Sequence, residues 1–363
     1  VDITWGVFIF ESRSSRPAPE IPMSEIIREK AKLQTPWQTV DPFLFCMHHD
    51  DAYPQGNDEM GPDAPLSGRA LGHDFSGKNG WSMYHGETVP GFPGHPHCGF
   101  ETITLARDGY IDHSDSLGAA ARFGAGDVQW MTAGNGVVHS EMFPLVNRDS
   151  ENHTELLQIW LNLPSEDKKK DPYFTMFWNE EIPRKTFTDD AGRSTELVAI
   201  AGSVSGLQPP EPPPSSWASR AESDVAVWTV TMEPGAEFEL PAGPEGANRV
   251  LYYFNGANCA IDGESIAQGN AIQVRSEAAV GFENGDALSE FVVLQGRPID
   301  EPVVKQGPFV ANTRGEIREA MLRYQETGFG GWPWDSDDPV HPRDRGRFAR
   351  HVDGTDEYPD ASE

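Results

Sequence analysis

His95-Pro96-His97-Cys98-Gly99-Phe100-Glu101-Thr102 and, 42 residues beyond His97, His139-Ser140-Glu141-Met142 decide how this chain of 363 residues is read. Each segment carries metal-binding side chains at i, i+2. On a β-strand that spacing puts both side chains on one face, because the side-chain period is two. Two adjacent strands can then aim three imidazoles and one carboxylate at a single point. Such a mixed nitrogen and oxygen set, without thiolate, suits a divalent first-row metal. The bland alternative is two unrelated pairs, one in a loop and one on the surface.

The surroundings of both segments predict short strands. Phe100 to Leu105, Gly126 to Met131, Val137 to His139 and Leu156 to Leu161 are separated by the turn signals Arg107-Asp108-Gly109, Gly124-Ala125-Gly126-Asp127 and Gly134-Asn135-Gly136. Strands at this spacing argue for a barrel or sandwich. Residues 48–94 are loop-rich, and a loop of that length is expected to be functional. Pro209, Pro210, Pro212, Pro213 and Pro214 mark a stiff extended linker over 205–221. Alternating strands resume at Val225 to Met232 and Arg249 to Phe254, giving a second β unit over 222–306. In the segment 307–363, Thr313-Arg314-Gly315-Glu316 is a capping box. Ile317, Ala320, Met321 and Tyr324 follow at helical spacing, and Gly328 closes the helix. The acidic tail beyond Gly330 is expected to fray.

Composition narrows the function classes. The net charge is −29, which repels phosphate backbones and anionic membranes and so argues against direct nucleic-acid binding. Only eight of the basic residues are Lys. Abundant carboxylates with few lysines fit life in high salt, and equally a generic acidic cytosolic protein. Cys46, Cys98 and Cys259 are too few and too scattered for a disulfide framework, which fits a reducing, cytoplasmic setting. No apolar run approaches membrane-spanning length, so no membrane association is expected. Residues 1–35 read as an N-terminal extension, partly disordered. Within it, Met23 opens an ordinary-looking start, and residues 1–22 are expected to have little structural role.

The order His95-x-His97-x-x-x-Glu101, with Gly91 before and Gly109 after, looks like the first motif of the cupin superfamily. The longer strings His95 to Thr102, Gly126-Asp127-Val128-Gln129-Trp130-Met131-Thr132-Ala133-Gly134 and His139 to Met142 resemble the pirin family. So does Gly307-Pro308-Phe309-Val310-Ala311-Asn312-Thr313, and the resemblance spans about residues 36 to 350. It implies an all-β bicupin: two tandem antiparallel β-barrels of the double-stranded β-helix type with a short C-terminal helix. The first barrel, over 36–204, would hold Fe(II), other divalent first-row metals being possible. The second would be metal-free, and no His occurs between His153 and His341.

On that resemblance His95, His97, His139 and Glu141 are the ligands. Strand parity counted from His97 puts Glu101 on the same face, as a ligand or as a pocket carboxylate. Gln129 and Gln158 are candidates to hold His rings, or are ordinary polar strand residues. His48 and His49, with Asp50 and Asp51, form either a second metal site or a solvated loop. His113 is expected in a turn. Cys98 has opposite parity to the histidines and stands where the family commonly has Arg. Phe43, Phe45, Trp130, Met131 and Trp160 are pocket or core residues.

Three functional readings follow. The resemblance implies quercetinase-type cleavage of a flavonol by dioxygen. In that reading the small-molecule substrate chelates the metal, and a carboxylate assists deprotonation: Glu141 if it shifts from the metal, otherwise Glu101. The second reading is a redox-sensing regulatory protein acting through a protein partner without turnover. The third is a metal-storing or inactive structural cupin.

Overall fold

The computed structural model describes residues 26–359, so the expectation for residues 1–22 lies outside the described residues. Strand β1 (Ile27–Lys32) opens the chain. The first barrel follows, with β2 (Phe43–Tyr53), β3 (Gly91–His97), β4 (Phe100–Asp108), β5 (Tyr110–Asp115), β6 (Ala120–Gly124), β7 (Asp127–Thr132), β8 (Val137–Met142), β9 (Asn152–Asn162) and β10 (Tyr173–Phe177). Then come β11 (Arg184–Thr188), β12 (Ser194–Ala201), β13 (Ala226–Met232), β14 (Glu237–Leu240), β15 (Asn248–Asn255), β16 (Asn258–Ile261), β17 (Glu264–Ala267), β18 (Asn270–Arg275), β19 (Val280–Asn284) and β20 (Ser289–Gly296). The C-terminal part adds β21 (Val304–Gln306), β22 (Phe309–Ala311), α1 (Arg314–Thr327), β23 (Phe348–Arg350) and β24 (Asp356–Glu357).

Two sheets form the first barrel, in the orders β10-β7-β4-β9-β2 and β24-β23-β6-β5-β8-β3. The second barrel pairs the sheet β1-β18-β15-β20-β13-β12-β11 with β14-β19-β16-β17. Strand alternation sorts the apolar side chains into three layers. Ile111, Phe123, Met131, Leu156 and Phe174 fill one end of the first barrel. Trp228, Leu251, Ile272, Phe282 and Phe291 fill the second. Between the barrels, Trp37, Ile103, Trp130, Ile159 and Leu161 of the first pack on Val227, Tyr252, Val292 and Leu294 of the second. At roughly 1.5–3 kcal/mol for each large apolar side chain buried, this middle layer makes the barrels one packed body rather than units on a tether.

The sheets do not follow the boundaries that composition suggested. Ile27–Lys32, within the expected extension, is an edge strand of the second barrel, paired antiparallel with β18. Residues 184–201, expected in the first barrel, supply two further strands of the second barrel's large sheet. The Pro-rich segment does not stand off as a spacer. Ser216 is fully buried, and short 3-10 turns occupy Trp217–Ser219 and Ala221–Ser223. A proline-rich backbone is stiff whether free or docked, so composition does not reveal that it has docking partners.

Two expectations for the C-terminal part fare differently. The N-cap half of the capping box forms: the Thr313 hydroxyl accepts from the Glu316 backbone N–H at 3.2 Å and donates to the Glu316 carboxylate at 2.9 Å, and Gly328 takes φ 56° as the C-cap. The tail as described, through residue 359, is held rather than frayed. β23 pairs with β6, and Arg122 clamps the segment by donating to the carbonyls of His341, Pro342 and Arg345 at 2.8–2.9 Å.

Candidate metal centre

β3 and β8 are neighbours in antiparallel register, with His95 opposite His139. β3 turns His95 and His97, and β8 turns Val137, His139 and Glu141, into the first barrel; a bulge between Phe92 and His95 brings Phe92 to the same side. One donor nitrogen from each of His95, His97 and His139 lies within 4.8 Å of the others. The Glu141 Oε2 is 3.9 Å from the His139 Nε2. Expected ligands on two separate segments thus meet at one place, as the i, i+2 spacing anticipates.

The surroundings fit a cation. His97 and His139 are buried, and neither nitrogen of either ring has a hydrogen-bond partner. Orphaned polar atoms of this kind are costly unless something else satisfies them. The His95 Nδ1 lies 2.9 Å from the Pro93 carbonyl, which fixes the tautomer and leaves the Nε2 lone pair available. Burial holds His97 and His139 well below the usual imidazole range and lowers His95 to about 4. All three rings are therefore neutral, the form that ligates. Burial raises the Glu141 carboxyl, opposed by His113 and by hydrogen bonds from Thr104 and Gln158.

Glu101 does not belong to this group. Its oxygens accept from the Thr132 hydroxyl at 2.6 Å and the Ser216 hydroxyl at 2.5 Å. It shares the outer face of β4 with Ile103 and Leu105, which pack in the layer between the barrels. Parity fails because β3 and β4 lie in different sheets, and the chain crosses between them at Cys98-Gly99. Gly99 has φ 86°, and a Cβ there would stand 1.9 Å from the Val310 carbonyl oxygen. The interior face of β4 is instead Phe100, Thr102 and Thr104. The expectation that Glu101 ligates or acts as a pocket base is corrected accordingly.

Other residues fall differently from expectation. His48 and His49 are on β2, not in a loop. His48 faces the second barrel, 4.9 Å from the Phe254 ring centroid and bonded to Glu155. His49 packs edge-on against Tyr84 and Phe92. Phe43 and Trp130 are core between the barrels. Phe45 and Trp160 are half-buried, and the Trp160 ring lies 5.5 Å from that of His97. Gln158 reaches Thr104, not a His ring, and Gln129 is buried without a partner. Cys98 points away from the centre as expected. The charge missing at that position comes from elsewhere: an Arg323 guanidinium nitrogen from α1 stands 3.5 Å from the Cys98 Sγ.

His113, expected in a turn, stands instead within a strand beside the centre. It lies on β5 opposite Glu141, its ring 5.5 Å from that of His139, and its Nε2 is 3.2 Å from Asp115. The alternation Ile111, His113, Asp115 is the one signal that could have placed it inside.

Comparison with known proteins agrees with this geometry. The family profile described as Pirin matches residues 25–161, and that of the Pirin C-terminal cupin domain matches residues 227–330. A Pseudomonas aeruginosa protein named "Putative quercetin 2,3-dioxygenase" is 35% identical over 236 residues, covering 65% of this chain and 78% of that protein. Human pirin is 32% identical over 266 residues, covering 68% and 80%. The crystal structure of an Acinetobacter baumannii quercetin 2,3-dioxygenase superposes with a TM-score of 0.66 at 24% identity, covering 84% of this chain and 98% of that one. At that identity the likeness is one of fold, and the fold is the all-β bicupin.

Proposed function

This chain belongs to the pirin family, and from that premise we propose that its first barrel holds one divalent first-row metal, Fe(II) in the first instance, and acts as a quercetinase-type dioxygenase on a flavonol-like chelating substrate. The observation that carries the reading is the convergence of His95, His97 and His139, with the ring nitrogens of His97 and His139 unpartnered and Glu141 alongside. A bound ion would supply coordination positions for a chelating enol-ketone and dioxygen, and would acidify the coordinated hydroxyl.

The chain's own residues do the rest. Neutral imidazoles and one carboxylate give a low-charge cage. Half-buried His95, Phe45 and Trp160 mark the approach, with the Trp160 ring 4.7 Å from that of Phe45 and suited to stack on a flat ligand. Glu101, turned toward the second barrel, takes no part in moving the substrate proton. That falls to Glu141 or to solvent.

The test is anaerobic loading with Fe(II), addition of a flavonol panel and then oxygen. A red-shifted flavonol band with oxygen uptake is the expected result. Neither binding nor uptake by iron-loaded protein would end the dioxygenase reading for this substrate class. A second reading, a metal-dependent regulatory protein working through a protein partner, is favoured by one observation: with Glu101 turned away, Glu141 is the one candidate carboxylate left at the centre and would have to serve as ligand and base at once. Binding without oxygen uptake would favour it.

A further inference from the structure

Glu141 spans the first barrel. It is carried by β8 in one sheet, and its Oε1 accepts from the hydroxyl of Thr104, on β4 of the opposite sheet, at 3.1 Å. The same hydroxyl is 2.9 Å from the side-chain oxygen position of Gln158 on β9, and Thr104 and Gln158 are directly opposed in the strand register. One hydroxyl carries one proton. Thr104 therefore donates to the carboxylate and takes the Gln158 amide through its lone pair, an orientation equivalent by exchange of the amide oxygen and nitrogen. The other oxygen, Oε2, is the one that faces His139. The two carboxylate oxygens thus have separate tasks.

We propose that Thr104 and Gln158 are positioning residues that hold Glu141 as a one-oxygen ligand and thereby set how many coordination positions remain open. This rests on the metal-centre reading above and goes beyond it. Three imidazole nitrogens and one carboxylate oxygen fill four of six octahedral positions, leaving two for a chelating ligand. A carboxylate released to bind through both oxygens fills a fifth, and only one position remains. Because Thr104 and Gln158 stand on the opposite sheet, the carboxylate cannot turn its Oε1 away from them without breaking the hydrogen bond to Thr104. The pair therefore selects for ligands that bind through two atoms.

Co(II) is the probe metal and tropolone, a two-oxygen chelator, the probe ligand. Wild type should bind Co(II) and then tropolone at one equivalent each. In Thr104→Val, Co(II) affinity should fall about 10–100-fold, the usual cost of removing a group that orients a ligand. At saturating Co(II), tropolone affinity should fall at least about tenfold, with a changed visible absorption spectrum before tropolone is added. Thr104→Ser, which keeps the hydroxyl, should restore both. If Thr104→Val fails to fold, Gln158→Met at its half-buried position carries the same test. Weaker Co(II) binding with unchanged tropolone affinity and spectrum would mean a merely structural role and would overturn the proposal, as would a variant indistinguishable from wild type. Wild type that binds no Co(II) would overturn the metal-centre reading and this inference with it.

Discussion

Glu101 and Ser216 meet at 2.5 Å, hydroxyl to carboxyl, where the Pro-rich segment docks on the first barrel. Both side chains are fully buried. Burial pushes the Glu101 carboxyl up to about 8, against the opposing pull of the Ser216 and Thr132 hydroxyls. The folded protein therefore keeps a proton that the unfolded chain gives up in the ordinary carboxylate range. The contribution of this group is complete at acid pH and is lost as pH rises through about 8.

The slope from this one group reaches about 1.4 kcal/mol per pH unit between those limits. Denaturant unfolding of wild type should show stability falling over that window. In Glu101→Gln, which has no proton to lose, the fall should be shallower. An identical pH profile in the variant would contradict a neutral buried Glu101.

His97→Ala or His139→Ala should lose most bound metal, since each removes one of the three converging nitrogens. Elemental analysis is expected to give about one metal per wild-type chain on this donor set. Glu141→Gln should weaken binding, while Glu101→Gln should leave it unchanged because Glu101 faces the other barrel. Full metal occupancy in His139→Ala would refute the assignment.

Arg122 and Asp112 form a buried two-pronged ion pair at 2.7 Å on both sides, and the same guanidinium holds the C-terminal segment. Arg122→Met strands the Asp112 charge in the interior, and stability should drop by about 3–5 kcal/mol. Proteolysis should then open the segment after Gly330 first. A variant as stable and as protease-resistant as wild type would show that the clamp contributes nothing.

At net charge −29 the folded chain repels itself. The screening length falls from ~10 Å at 0.1 M salt to ~3 Å at 1 M, so the melting temperature should rise over that range. A flat or falling trend in NaCl would count against self-repulsion as a limit on stability.

The all-β barrel class and the meeting of His95, His97 and His139 were legible in the chain itself. These follow from local rules: alternation on one strand and turn residues between strands. Both members of each pair sit on a single strand, so counting by two places them correctly. Glu101 sits only four residues beyond His97, yet the same count fails, because the chain crosses between sheets at Gly99 and the face reverses. Only the tertiary structure decided where Ile27–Lys32 pairs, that the Pro-rich segment buries Ser216 against Glu101, and that Arg323 arrives beside Cys98. It also decided that Thr104, backed by Gln158, grips Glu141 from the opposite wall. Each of these joins residues far apart in the chain, and their energy comes from burial and hydrogen bonds across sheets, which leave no periodic trace in either segment alone.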